Sequence, residues 1–397
     1  MSDLVPRRIL PVIALSQFAG TSLWFAINAV MADLQAHAAL PPAAVGWLTS
    51  AVQLGFIAGT FAFALLAIAD RFSPRLVFLT SSLVGAALAV ATALLPPRLD
   101  ALLVLRFATG FTLAGIYPVG MKIAAGWYDR GLGWALGVLV GALALGTALP
   151  FALRAWGAQW DWQVVMLAVA IVAAGGGAAM ATWVPDGPHL APAARITPAA
   201  LAVIWSDRTV RASAFGYFGH MGELYAFFVL LPLIVAQRWQ GATASWWVFA
   251  AIAVGFVSCA GGGWLARHIG NARVAAAMLA GSASCGLLAP WLLDAAWPLW
   301  ALWLLLWGAT AVGDSPQFSA LTAANAPRAM VGSVLTFVNA IGFSITTATI
   351  MLFVDLAQRL PLATVLPWLA AGPLIGLAFL APLWRTPPAV QRSPAAR

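Results

Sequence analysis

Apolar residues run along this chain in blocks of about 20, the length a helix needs to cross a bilayer. Between the blocks lie short stretches that hold prolines, glycines and most of the charges. Twelve blocks predict twelve transmembrane helices, near 9–31, 45–69, 76–95, 101–126, 133–154, 163–184, 210–236, 245–266, 273–293, 298–323, 330–354 and 361–384. The connections are short, so sequential helices run antiparallel. One connection, 185–209, is long and carries Pro185, Pro188, Pro192 and Pro198. It divides the chain into an N-terminal six-helix bundle (1–184), a cytoplasmic linker (185–209) and a C-terminal six-helix bundle (210–397). Within the linker, 198–206 is expected to form a short interfacial helix. The first block is too long for the apolar core of a signal peptide and carries Gln17 and Asn28, so it reads as a retained span. The predicted fold class is an all-α integral membrane protein.

Composition sharpens this picture. Of 397 residues, 62% are hydrophobic and 8% charged, against roughly 25% charged in a soluble domain. That excludes a soluble enzyme, a nucleic-acid binder and a disordered chain. The net charge of +8 acquires a topological meaning when the N-terminus is put in the cytoplasm. Fourteen basic residues then face inward: Arg7, Arg8, Arg71, Arg75, Arg130, Arg195, Arg208, Arg211, Arg267, Arg273, Arg328, Arg385, Arg392 and Arg397. Four face outward: Arg98, Arg154, Arg238 and Arg359. The bias orients the chain with both termini inside. An outer aromatic belt is expected from Trp156, Trp160, Trp162, Trp239, Trp246, Trp247, Trp297 and Trp300. Cys259 and Cys285 fall in apolar stretches and read as small packing residues. No phosphate loop, nucleophile–base set or metal-ligand spacing appears in the sequence, so no enzyme activity and no cofactor are expected.

The two halves repeat. Leu66-Ala67-Ile68-Ala69-Asp70-Arg71-Phe72-Ser73-Pro74-Arg75 follows the second block, and Gly263-Trp264-Leu265-Ala266-Arg267-His268-Ile269-Gly270 follows the eighth. Gly115-Ile116-Tyr117-Pro118 in the fourth block is matched by Gly313-Asp314-Ser315-Pro316 in the tenth, at offsets of 197 or 198 residues. Parallel repeats of this kind mark many secondary transporters. The chain resembles the major facilitator superfamily over essentially its whole length. The 66–75 segment is similar to that family's G-x-L-A-D-R-x-G-R-[RK] loop, with Leu66 and Ser73 in place of its two glycines. The resemblance implies two pseudo-symmetric bundles, alternating access, a monomer, and a conformational latch at Asp70, Arg71 and Arg75. In the family the latch aspartate sits near the start of the eleventh helix, where a helix dipole favours it. Arg267 stands at the aspartate position of the second copy, which argues against a symmetric latch.

Ionisable side chains within a span cost about 2.5–3.5 kcal/mol each on insertion scales. The intramembrane set is small: Arg106, Lys122, His220, Glu223 and Asp314. These fall in the fourth, seventh and tenth blocks, which by resemblance line the central cavity together with the first. Gln17, Thr21, Trp24 and Asn28 are spaced as one face of a continuous first helix. Arg106 and Tyr117, eleven apart, share a face; Arg106 suits a substrate anion, a carboxylate partner or a pin between helices. Lys122 points elsewhere and snorkels to the cytoplasmic surface. His220 and Glu223, one turn apart, suit a proton relay, since histidine titrates near neutrality. Asp314 shares a face with Trp307, Thr310 and Gln317, and binding substrate, carrying a proton and pairing with Lys122 are all open to it. Gly137, Gly141 and Gly146 before Pro150 predict close helix packing.

The expected function is secondary active transport of a small polar or anionic solute across a bacterial inner membrane, driven by a proton gradient. Substrate-binding candidates are Arg106, Tyr117, Trp24, Asn28, Tyr225, Asp314 and Gln317. Proton-coupling candidates are His220, Glu223 and Asp314. The expected partners are a small-molecule substrate and the lipid bilayer. The alternative is a multidrug efflux antiporter with an aromatic pocket, although the first block carries no carboxylate. A nitrate exchanger would need arginines in the second and eighth blocks, and 45–69 and 245–266 hold none.

Overall fold

The computed structural model describes residues 5–128, 131–190 and 197–385. Arg130, Pro192, Arg195, Arg392 and Arg397 of the predicted topology lie outside the described residues. The described chain is helical throughout its regular structure. Among the described residues, ten helices are long and apolar enough to cross a membrane: Ala44–Leu65, Pro74–Leu94, Leu99–Trp127, Leu132–Trp156, Trp162–Trp183, Arg208–Ala236, Gly241–Ile269, Asn271–Leu292, Arg328–Arg359 and Leu362–Trp384. The first and tenth predicted spans complete the set of twelve, and both are broken. The first runs as Ile9–Thr21, Ala26–Ala29 and Met31–Ala38, the tenth as Trp297–Gly313 and Ser315–Asn325. A helix Ala199–Ser206 stands in the connection between the halves. The next helix begins at Asp207, whose carboxylate accepts from the Thr209 and Val210 amides as an N-cap.

The breaks have separate causes. Pro118 lacks an N–H and its ring opposes the carbonyl four residues back, which interrupts the fourth span between Leu113 and Tyr117. Pro316 acts in the same way at Asp314 in the tenth span. The first span has no proline at its break. There the Thr21 hydroxyl donates back to the Gln17 carbonyl at 2.8 Å and the Ser22 hydroxyl to the Ala19 carbonyl at 2.6 Å. Such back-bonding competes with the helical ladder. The Arg106 guanidinium then takes the carbonyls of Leu23 and Trp24.

Breaks in the helices remove the continuous-helix arithmetic behind three expectations, and the contacts overturn the first. Gln17, Thr21, Trp24 and Asn28 do not share one face. Gln17 packs on Gly120 of the fourth span, Thr21 reaches the Leu143 carbonyl of the fifth, and Trp24 and Asn28 bond the second. Arg106 and Tyr117 lie on opposite sides of the 114–116 break. Trp307 and Gln317 are likewise separated by the break at Asp314.

The halves meet along two seams. In one, the fifth span packs on the eighth. A Cβ at Gly141 would stand 3.0 Å from the Phe256 carbonyl oxygen, and one at Gly137 3.3 Å from that of Cys259. Gly146 instead abuts the Phe18 carbonyl of the first span. In the other seam the second span packs on the eleventh, through Phe61 and Phe337 and through Gly46 against Val354. Small residues let these backbones approach where apolar burial alone supplies no drive in lipid. The aromatic belt needs correction. Trp156, Trp160, Trp246 and Trp297 are exposed, but Trp162 and Trp300 are buried. Trp300 packs edge-on against Trp247 and beneath the Arg238 guanidinium. Cys259 and Cys285 are free thiols.

Candidate functional site

Two polar ladders link the first span to the second. The Thr49 hydroxyl donates its proton to the Val45 carbonyl at 2.7 Å, so toward Asn28 it can only accept. Asn28 therefore presents its amide N–H to Thr49 Oγ1, at 2.8 Å, and its Oδ1 has no partner. One turn deeper, the Trp24 indole donates to Gln53 Oε1 at 3.1 Å. An indole only donates, so Gln53 must offer its oxygen, and its Nε2 is left without a partner. Trp24, Asn28, Thr49 and Gln53 are all buried.

Arg106 is buried in the N-terminal half and donates through Nη1 to the Leu23 carbonyl at 3.0 Å and through Nη2 to that of Trp24. It thereby satisfies backbone acceptors that the broken first span has lost, in a place where no bilayer lipid could.

A second polar cluster lies inside the C-terminal half. Glu223 accepts from the Trp307 indole at 2.7 Å and from the Ser282 hydroxyl at 2.6 Å. His220 stands with Nδ1 2.8 Å from Asp314 Oδ1 and Nε2 2.7 Å from Ser315 Oγ. His220 and Glu223, one turn apart on the seventh span, thus hold separate sets of partners on the ninth and tenth. All three ionisable groups are buried. Neither carboxylate has a lysine or arginine ion-pair partner among the described residues; Lys122 pairs instead with Asp70. His220 and Asp314 lie within hydrogen-bond distance of each other, and Asp314 stands at the break in its helix.

Between the two clusters sits an aromatic core contributed by both halves. Trp24 stacks on Tyr225 at 5.9 Å and on Phe343 at 5.7 Å between ring centroids. Phe56 packs on Phe343 at 4.5 Å and faces Tyr117 at 6.4 Å. Phe25 meets Tyr225 and Phe228. Toward the end of the bundle opposite the termini, a cavity of about 520 Å³ opens beyond Asn28, between the first, second, fifth, seventh, eighth and eleventh spans. Its wall is mainly apolar and includes the Asp33–Arg154 ion pair. Gln317 lies away from it, packed on Gly262 of the eighth span.

At the other end, near the termini, Asp70 pairs with Lys122 and the Lys122 ammonium also donates to the Ala69 carbonyl at 2.9 Å. Ser73 and Arg75 both reach Asp186 after the sixth span. Arg71 is exposed. Ala67, just ahead of this loop, adopts φ +49°, a left-handed conformation that alanine rarely takes.

Sequence reasoning missed Thr49, Gln53, Ser282 and Ser315. The first two are spaced i, i+4 in a block read only as apolar, and that spacing was the available signal.

A family model described as Major Facilitator Superfamily matches residues 10–351. Among solved structures, the chain is similar to the human organic anion transporter MFSD10 (TETRAN) at 16% identity and a TM-score of 0.71, covering 94% of this chain and 99% of that one. It is similar to a D323A mutant of the nucleoside transporter NupG at 12% identity and a TM-score of 0.72, again over 94% and 99%. A comparison with curated proteins finds no match.

Proposed function

This chain belongs to the major facilitator superfamily and is a secondary transporter rather than an enzyme; we propose that it couples movement of a small polar or anionic solute to protons. The observation that carries this reading is the buried set of Glu223, His220 and Asp314: Glu223 is held by an indole and a hydroxyl, while His220 and Asp314 meet each other and His220 also meets a hydroxyl. A lysine or arginine partner would hold a carboxylate permanently charged. Here a proton can be taken up at one face and released at the other as the halves rock about the midplane. Asp314 suits the coupling step because it lies at the break of the tenth span, where a change in helix angle is least resisted.

The solute path runs from the 520 Å³ cavity toward Trp24, Asn28, Tyr117 and Tyr225, with Gln317 and Arg106 as supporting groups. The fold serves an organic anion transporter and a nucleoside transporter alike, so fold alone does not choose the charge of the solute. Asp70, Arg71 and Arg75 act as a latch between conformations, through the Asp70–Lys122 and Arg75–Asp186 contacts. The fourteen-to-four arginine split favours a bacterial inner membrane with both termini in the cytoplasm. The protein works as a monomer, with a lipid bilayer and a small molecule as partners and no cofactor beyond the proton gradient.

The test is reconstitution in liposomes loaded with a pH-sensitive dye. Solutes that dissipate an imposed pH gradient in the native protein, and fail to in Glu223→Gln, support coupling. Uphill transport that survives Glu223→Gln, Asp314→Asn and His220→Gln alike would sink it. A second reading, drug efflux, draws on the aromatic core of Trp24, Phe25, Phe56, Tyr225, Phe228 and Phe343. Unchanged drug tolerance in a strain lacking the gene would remove that reading.

A further inference from the structure

The charges around the cavity are already matched. Arg154 forms a two-point ion pair with Asp33, its Nε 3.0 Å from Oδ2 and its Nη2 3.0 Å from Oδ1. The remaining Nη1 donates to the carbonyls of Gly157, Ala158 and Trp160. The charge of a guanidinium so engaged is already matched by the Asp33 carboxylate. Arg106 is not part of the cavity wall, and both its Nη groups are held by the Leu23 and Trp24 carbonyls. An incoming anion therefore meets no unmatched cation on the cavity wall, among the described residues. It also faces two buried carboxylates across the aromatic core.

Arg106 Nε lacks a partner behind the broken first span, but the partnerless polar atoms on the cavity wall and on the two ladders between the first and second spans are neutral. They are the acceptor Asn28 Oδ1, on the cavity wall, and the donor Gln53 Nε2, one turn deeper. A further neutral donor, the Trp239 indole, lies on the opposite wall. The amide orientations are dictated by their other bonds: Thr49 must accept from Asn28, and Trp24 must donate to Gln53. Thr49 and Gln53 sit one turn apart on the second span, about 6 Å along its axis. A buried polar atom without a partner is costly, so this edge has something to gain from a ligand. We propose that Asn28 and Gln53 form a neutral acceptor–donor edge that selects an uncharged solute carrying a hydrogen-bond donor and an acceptor on neighbouring atoms, and that Gln53 is a specificity-determining residue. The aromatic rings of Trp24, Phe56 and Tyr225 beside this edge suit a solute with a flat apolar body. This inference rests on the transporter reading and narrows its solute to the uncharged class.

Three probes of one shape decide it: benzamide, benzoate and benzamidine, each added at millimolar concentration to the purified full-length protein. Binding is followed by thermal unfolding, since a ligand of the folded state raises the melting temperature. Benzamide is expected to raise it and the two ions are not. Gln53→Glu keeps an acceptor for Trp24 but replaces the two N–H donors with a carboxylate. It should weaken benzamide about tenfold, the equivalent of one net hydrogen bond, and gain binding of benzamidine. Should that variant fail to fold, the ranking on the native protein decides alone. Benzoate binding as well as benzamide, or benzamide failing to bind, overturns the proposal. Proton-driven transport is a separate measurement. Anion binding with pH-driven uptake would overturn this inference and spare the coupling, and benzamide binding without pH-driven uptake would do the reverse.

Discussion

The Arg106 guanidinium donates to the Leu23 carbonyl at 3.0 Å, joining the fourth span to the first across 83 residues of chain. The contact falls where the first span has lost its own ladder, between Thr21 and Ala26. Arginine offers a planar fork of donors to two successive carbonyls, which lysine cannot match.

Replacing Arg106 by Gln should therefore destabilise the protein itself, before any effect on transport. Leaving buried carbonyls unsatisfied costs about 1–3 kcal/mol each. A clear fall in the melting temperature of detergent-purified Arg106→Gln, with Arg106→Lys between it and the native protein, is expected. Unchanged stability in Arg106→Gln would show that the break in the first span needs no pin.

Glu223→Gln should behave in the opposite way. The glutamine oxygen can still accept from the Trp307 indole, and its N–H can donate to the Ser282 hydroxyl, so the fold is expected to hold within about 1 kcal/mol. Net proton-driven accumulation should be lost while solute exchange across the liposome membrane continues. Counterflow measured beside pH-driven uptake separates the two.

Close packing between the second and fourth spans predicts a sharp contrast among glycines. A Cβ at Gly110 would overlap the Val52 carbonyl, whereas one at Gly261 meets nothing within 4 Å. Gly110→Ala should cost about 1–3 kcal/mol by overpacking, and Gly261→Ala should be neutral or slightly stabilising, because alanine is the better helix former. Thermal unfolding of the two purified variants is the check.

The Asp70–Lys122 pair is partly exposed, and such pairs contribute about 0–1 kcal/mol. Lys122→Met should leave the melting temperature nearly unchanged. A latch role requires that it still alter the rate at which the two conformations exchange. Accessibility labelling of single cysteines at either end of the bundle, in a background where Cys259 and Cys285 are replaced, would read that rate. An unaltered rate would reduce the pair to a structural contact.

The sequence by itself determined the spans, the division into halves and the short set of intramembrane ionisable groups. Lipid imposes these directly: a crossing segment must be apolar over about 20 residues, so any polar exception stands out without knowledge of its neighbours. It also carried the repeat of Gly115-Ile116-Tyr117-Pro118 in Gly313-Asp314-Ser315-Pro316, and with it the prolines that break the fourth and tenth spans. Only the tertiary structure decided the partners. Asn28 meets Thr49 and Trp24 meets Gln53; Glu223 meets Ser282 and Trp307, 59 and 84 residues away. The break in the first span was equally hidden, since no proline marks it: the Thr21 and Ser22 hydroxyls bond back to the helix and an arginine of another helix takes the freed carbonyls. Helix-face arithmetic presumes an unbroken helix, and it failed at Gln17 and Thr21 for that reason. Apolar blocks are read one at a time, whereas a hydrogen bond between spans depends on the register and distance of two helices, which packing alone sets.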